Sequence, residues 1–257
     1  MSGVERSGLQ PGYVLHSRMY RDTSLLLEVF TAQQGRVSLV ARGARRRSRK
    51  GSRAALLQPF IPLLLSYSGR AELKTLTAVE SAGAALVLPG QRAYSGLYVN
   101  ELLTRLMHRY DPHPTLFAGY ASTLAAIASP APVDGVLRRF ELLLLDELGY
   151  TLNLRTTGDT GESVVHSGRY RYEMQCGLRA VADSTSAAPD SAQAEYEGAH
   201  LLAIAAGDFN DAVLPVAKHL LRAALAEHLG DEPLRSRELF QLATRTRREL
   251  AARREDT

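Results

Sequence analysis

Residues 12–42 read GYVLHSRMYRDTSLLLEVFTAQQGRVSLVAR, three apolar runs separated by the turn-forming stretches around RDT and AQQG. Two further runs of the same kind follow, PFIPLLLSY at 59–67 and ELKTLTAVE at 72–80. Short runs rich in Val, Leu, Thr and aromatic residues, bounded by turn residues, are typical of β-strands. Because a small sheet removes its exposed edges by closing on itself, five such strands predict a small β-barrel.

The third run carries information about the two faces of its strand. Apolar and polar side chains alternate along GRVSLVAR (35–42), which is the period of two that a strand with one buried face shows. Arg36 and Arg42 belong to the polar set, so we expect both on the solvent-facing side of the barrel.

A cluster of positive charge follows directly, in ARGARRRSRKGSR at 41–53. Residues 29–71 contain no Asp or Glu, and residues 1–83 carry 13 Lys and Arg against 5 Asp and Glu, whereas the remainder carries 18 against 22. Such a run is either a solvated loop or a binding site for a polyanion. Its position between two predicted strands makes it a loop held by the barrel, which favours the second interpretation.

The expected nucleic-acid-binding residues combine this loop with the barrel rim. Tyr20 and Arg21 lie at the turn between the first two strands, where barrels of this kind often contact nucleic acid and where an aromatic ring can stack on an unpaired base. The other reading of Tyr20 is a core side chain. The full predicted set is Tyr20, Arg21, Arg36, Arg42, Arg45, Arg46, Arg47, Arg49, Lys50 and Arg53.

Catalytic and metal chemistry find little support in the sequence. No phosphate-binding Gly-x4-Gly-Lys motif and no Gly-x-Gly-x-x-Gly motif is present, and the histidines are scattered. The Glu72-Leu73-Lys74 triplet resembles one nuclease motif but lacks the upstream acid, and Cys176 is a lone cysteine. We therefore expect no catalytic residue, metal or cofactor. The absence of a secretory signal or long apolar segment predicts a cytoplasmic, nucleoid-associated protein.

Helical periodicity replaces the strand pattern after residue 81. We expect helices near 92–109, 114–128, 134–148, 195–206, 211–229 and 235–254, with an irregular insertion at 150–194. The predicted fold class is α+β, with a barrel domain at 1–82 and an α-helical domain at 83–257. In the final helix, Leu239, Leu242 and Leu250 are expected to pack inward. Three arginines of this helix are candidate protein-binding residues, Arg245, Arg247 and Arg248.

Four segments of the chain resemble the RecO family of bacterial recombination mediators. They are YVLHSRMYRDTSLLLEVFTAQQGRVSLVARGARR, LQPFIPLLLSYSGRAELKTLTAVE, YVNELLTRLM and LRRFELLLLDELGY, in that order. The resemblance implies an N-terminal OB-fold, a helical C-terminal domain and no catalytic residues. It also implies binding to single- and double-stranded DNA, strand annealing, contact with the acidic tail of the single-strand DNA-binding protein, and RecA loading together with RecR.

One difference from the family concerns zinc. Some relatives carry a four-cysteine zinc site in the region that corresponds to about residues 155–180, where this chain has Cys176 alone. The resemblance therefore implies a zinc-finger-like insertion without zinc ligands. A competing function stays open, an interaction scaffold whose acidic helical half docks proteins and whose basic barrel binds RNA or membrane phosphate groups.

Overall fold

The computed structural model describes residues 7–46, 53–181 and 194–255, with side chains as far as residue 245. Its N-terminal part is a closed barrel of five strands, in the order β1-β2-β3-β5-β4. The strands are β1 (Gln10–Tyr20), β2 (Ser24–Thr31), β3 (Gly35–Ala41), β4 (Leu63–Ser68) and β5 (Lys74–Ser81). Strands β3 and β5 pair in parallel, and the other neighbours pair antiparallel. The predicted five-stranded barrel is confirmed.

Alternating apolar residues fill the barrel. Leu27, Val37 and Leu39 are fully buried, and Leu65 and Tyr67 are almost so. Burial of one such side chain contributes about 1.5–3 kcal/mol to folding, so the core pattern in the five runs explains why these segments close together. The Tyr67 hydroxyl accepts a hydrogen bond from Gln10 at 2.9 Å and donates one to Gln34 at 2.8 Å, which satisfies its polar end.

The expectation of a solvent-facing side on β3 was wrong at Arg36. The segment 107–111 crosses this side of the strand: Arg36 Nε donates to the Met107 carbonyl at 3.1 Å, and Tyr110 N donates to the Arg36 carbonyl at 3.0 Å. The Arg36 side chain is only 15% exposed as a result. Period-two alternation identifies the two faces of a strand, but it carries no information about a distant segment that covers one of them.

Six helices lie in the described residues that follow the barrel. They are α1 (Gln91–Leu106), α2 (Pro114–Ala128), α3 (Asp134–Glu147), α4 (Gly198–Ala206), α5 (Val213–Leu229) and α6 (Arg235–Glu255). A three-stranded sheet, in the order β7-β6-β8, forms from the insertion region. Its strands are β6 (Arg169–Glu173), β7 (Gly177–Ala180) and β8 (Glu195–Glu197). The predicted helical region after the barrel is confirmed.

Contacts divide the chain into two compact units, Met1–Val133 with Glu232–Thr257, and Asp134–Asp231. In the first unit, the Tyr13 ring of the barrel packs edge-on against the Tyr120 ring of α2, with centroids 5.1 Å apart. The predicted boundary between residues 82 and 83 is a statement about sequence segments and stays a prediction.

Helix α6 packs on α1 within the first unit. The Glu101 carboxylate of α1 accepts hydrogen bonds from the backbone of Arg235 and Ser236, both at 2.9 Å, and the Phe240 ring lies edge-on to Tyr94. Ser236 and Phe240 are four residues apart and therefore share the packed face. Leu239 and Leu242 lie outside it and are 48% and 62% exposed, so the expected inward packing was wrong for both. The Leu250 side chain lies outside the described residues.

Candidate nucleic-acid interface

One end of the barrel carries a cleft of about 610 Å³ between the β1–β2 turn, the end of β3 and the start of β5. We call it the rim cleft. Its floor includes Val40 and Leu73, and none of the described residues that line it carries a carboxylate. Four of its lining residues are cationic, Arg21, Arg42, Arg46 and Lys74. A concave surface with this charge attracts a polyanion.

Hydrogen bonds hold the two loops of the rim cleft together. Arg45 N donates to the Thr23 carbonyl at 3.0 Å, and Arg45 Nη1 donates to the Asp22 carbonyl at 3.3 Å. Arg46 N donates to the Gly43 carbonyl at 3.0 Å in a turn where Gly43 has a φ of 64°. Arg45 thus joins the basic loop to the β1–β2 turn.

The β1–β2 turn presents an aromatic and cationic pair. Arg21 has a φ of 52°, a left-handed conformation that is uncommon for residues other than glycine. The Arg21 guanidinium lies 5.2 Å from the centroid of the Tyr20 ring, within the range of a cation–π contact. Tyr20 is half-buried and lines the rim cleft, so its ring is not a side chain of the barrel core.

The structure places the ten predicted residues differently. Arg36 pairs with Glu28 outside the lining of the rim cleft, and Arg45 joins the basic loop to the β1–β2 turn. Tyr20, Arg21, Arg42 and Arg46 come together at the rim cleft. Arg53 is exposed at the start of a short 3-10 turn, outside the lining. Arg47, Arg49 and Lys50 lie outside the described residues.

Among the residues of the rim cleft that sequence reasoning missed are Val40, Leu73 and Lys74. The parallel pairing of Val40 with Thr75 brings the start of β5 beside the end of β3. This pairing joins residues that are far apart in the chain, and no local sequence pattern predicts it. Leu73 lies in the apolar run 72–80, which was predicted as a strand, and nothing in that run indicates that it lines a cleft.

A second group of charges, the ion-pair cluster, lies on the same barrel and consists of Glu28, Arg36, Glu72 and Arg109. Arg36 Nη1 and Arg109 Nη2 each lie 3.3 Å from a different oxygen of Glu28, and Arg109 also bonds to Glu72. Burial lowers the pKa of Arg36, and the negative charge of Glu28 opposes that shift. Burial also lowers the pKa of Arg109, but Glu72 and Glu28 outweigh it and the pKa is raised.

Lys74 and Tyr110 lie between the ion-pair cluster and the rim cleft. Lys74 Nζ donates to the Gly69 carbonyl at 3.1 Å and lies 5.1 Å from the centroid of the Tyr110 ring. The Tyr110 hydroxyl donates to the Glu72 carbonyl. Burial raises the pKa of Tyr110, and the Glu72 carboxylate adds to the shift. Lys74 therefore has structural partners, unlike Arg42 and Arg46, for which the described residues provide no ion pair.

The predicted protein-binding arginines lie on α6. Arg245 is exposed, on the same helix as the exposed Leu239 and Leu242. The side chains of Arg247 and Arg248 are outside the described part of the chain. This part of α6 combines apolar and basic residues on its surface.

Among the described residues, no group of three or more His, Cys, Asp and Glu side chains could hold a metal ion, and no helix is both long and apolar enough to cross a bilayer. Around Cys176, which is exposed, the backbone is held by hydrogen bonds: Gly158 N donates to the Leu178 carbonyl at 2.7 Å, and Thr157 N to the Glu162 carbonyl at 2.8 Å.

Comparison with known proteins gives a consistent result along the chain. The family model for the recombination protein O N terminal matches residues 7–85, and the model for the recombination protein O C terminal matches residues 90–238. DNA repair protein RecO from Pseudoalteromonas atlantica is 43% identical over 230 residues, covering 90% of this chain and 92% of the relative. The Haemophilus influenzae protein of the same name is 44% identical over 238 residues, covering 91% and 96%. The chain belongs to the RecO family of DNA repair proteins.

Proposed function

We propose that this chain is a non-catalytic recombination mediator that binds single- and double-stranded DNA and anneals complementary strands. Membership of a family of DNA repair proteins supports the general role. The observation that carries the DNA-binding part is the rim cleft, where Arg21, Arg42 and Arg46 converge without a carboxylate among the described lining residues. A protein with this role acts in the cytoplasm, at the nucleoid.

The contacts of the rim cleft are with the phosphate backbone. Guanidinium groups bind phosphate oxygens with good geometry, and such contacts position a protein on DNA without reading the sequence. Arg42 and Arg46 make the contacts together with Arg21. The sequence adds the positive charge of Arg47, Arg49, Lys50 and Arg53 to the same stretch of chain. Arg36 contributes least, because Glu28 and the Met107 carbonyl already occupy its guanidinium.

The partner proteins of the proposal are RecR, the single-strand DNA-binding protein and, indirectly, RecA. Support for the second comes from α6, where Arg245 and the exposed Leu239 and Leu242 suit an acidic peptide with an apolar end. Arg247 and Arg248 belong to the same basic helix. Family membership supports the RecR and RecA steps.

The test is the salt dependence of DNA binding by the double variant Arg42→Ala/Arg46→Ala. Each phosphate contact on a single strand contributes about 0.7 to the slope of log affinity against log salt, so the double variant should lose about 1.4 from that slope. The measurement is a titration of a fluorescent single strand at several salt concentrations.

A matched control removes two exposed arginines of the second unit, in Arg155→Ala/Arg169→Ala. It changes net charge by the same amount and should leave the slope unchanged. An unchanged slope in the rim variant would contradict the proposal. RNA of equal length, bound more tightly than DNA at every salt concentration, would favour the alternative scaffold function.

A further inference from the structure

The rim cleft contains more apolar surface than phosphate binding requires. Val40 and Leu73 form part of its lining, and Leu73 is 40% exposed although its side chain is large and apolar. Phosphate groups need cations and N–H donors and gain nothing from such a floor. The flat face of a nucleobase does gain, because it stacks on aromatic and apolar side chains.

The rim cleft also contains an aromatic side chain, from the end of the β1–β2 hairpin. Tyr20 pairs with Ser24 at the end of the β1–β2 hairpin, and Leu26 of the same hairpin pairs with Val40. Tyr20, the last residue of β1, and Leu73, which directly precedes β5, line the same cleft. The Arg21 guanidinium lies over one face of the Tyr20 ring, so a base that stacks on Tyr20 uses the other face.

The size of the cleft sets what can enter. A volume of about 610 Å³ is in the range of sites that enclose a small ligand. A base in a duplex is stacked on both faces and paired along its edge, so it enters such a cleft only after it has been unpaired and unstacked. An unpaired base has already lost those contacts.

We infer that the rim cleft binds one unpaired nucleobase between Tyr20 and the Val40–Leu73 floor, while Arg21, Arg42 and Arg46 bind the flanking phosphates. This inference rests on the proposed function and adds to it a preference of this site for single strands. Tyr20 and Leu73 are its specificity-determining residues, and the arginines supply affinity that is common to single and double strands.

The test separates bases from phosphates. A single-stranded oligonucleotide is compared with the same oligonucleotide in which every base is missing, and with a duplex of equal length. The intact strand should bind wild-type protein about tenfold more tightly than the abasic strand, the effect of one stacked base. Tyr20→Leu should remove that difference and change the affinities for the abasic strand and the duplex less than about twofold.

A second variant and a spectroscopic readout distinguish loss of base binding from loss of folding. Leu73→Ser alters an exposed side chain outside the barrel core and should also reduce the preference for the intact strand. A fluorescent base analogue in the strand should be quenched on binding to wild-type protein and not to Tyr20→Leu. Tyr150→Leu, which removes an exposed tyrosine of the second unit, is the matched control and should behave as wild type.

Equal affinities of wild-type protein for the intact and the abasic strand would overturn the inference, as would a Tyr20→Leu variant that weakens duplex binding as much as single-strand binding. The salt slope of Arg42→Ala/Arg46→Ala is a separate result. If that slope falls while the abasic strand binds as well as the intact one, the proposed DNA-binding function stands and the base-binding site does not.

Discussion

The rim cleft and the ion-pair cluster use arginine on one barrel for different purposes. In the ion-pair cluster, Glu28 and Glu72 neutralise Arg36 and Arg109, and the four side chains attach the segment after α1 to the barrel. At the rim cleft, Arg42 and Arg46 have no carboxylate partner among the described residues. The difference indicates that positive charge counted along a sequence can attract a polyanion only where the fold leaves it without acids.

The largest expected effect comes from two glycines that have the same φ of 64°, Gly35 beside the ion-pair cluster and Gly43 at the rim cleft. A Cβ on Gly35 would lie 1.8 Å from the Asp111 carbonyl oxygen, whereas one on Gly43 would lie 3.7 Å from its nearest neighbour, Arg46 Cδ. Gly35→Ala should lower the free energy of unfolding by roughly 3–5 kcal/mol, and Gly43→Ala by about 1–2 kcal/mol. Urea unfolding measures both, and equal losses would contradict the distinction.

A smaller effect is expected from Arg36→Ala compared with Arg42→Ala. Loss of Arg36 leaves Glu28, which is 16% exposed, with fewer partners and removes the donor to the Met107 carbonyl, so stability should fall by about 2 kcal/mol. Its salt slope for DNA should not change. Arg42→Ala should do the reverse, with stability within about 0.5 kcal/mol of wild type and the slope lower by about 0.7. If Arg36→Ala lowered the slope as well, Arg36 would belong to the DNA-binding surface.

The smallest effect should follow from Glu72→Gln, because Glu72 precedes Leu73 of the rim cleft. Removing a carboxylate about 10 Å from a phosphate in water is worth about 0.4 kcal/mol, so DNA affinity should rise about twofold at low salt. Screening should abolish the gain at high salt. Glu80→Gln, at an exposed position of β5, is the control for net charge. A gain that persists at high salt would show an effect other than charge.

Local patterns were sufficient for the elements of the fold. Helix α2 spans Pro114–Ala128, the range expected from sequence, because Pro114 fixes its first turn. Helix α1 was expected to continue to residue 109 but ends at Leu106, since Met107 is extended and the following segment bonds to β3. Met107 is buried although it lies beyond the helix, so the apolar pattern of the sequence continues past the helix end.

The site was predictable where its residues are neighbours in the chain. Tyr20 and Arg21 lie at one turn and Arg42 follows β3, so turn chemistry and strand alternation identified them. Val40 and Leu73 meet through the parallel pairing of β3 and β5, which no local pattern encodes. Arg36 shows the same limit, because Glu28 and the Met107 carbonyl, which bind its side chain, come from two different parts of the chain.

The capping of α6 by Glu101 has a consequence for synthesis on the ribosome. All of Asp134–Asp231 must be translated before Ser236 can reach the Glu101 carboxylate and Phe240 can reach Tyr94. At about 5–20 residues per second, the α1 surface that carries these two side chains stays uncovered for roughly 5–20 s. During that time it is exposed to chaperones and to other nascent chains. The unit that leaves the ribosome first is therefore the last to be completed.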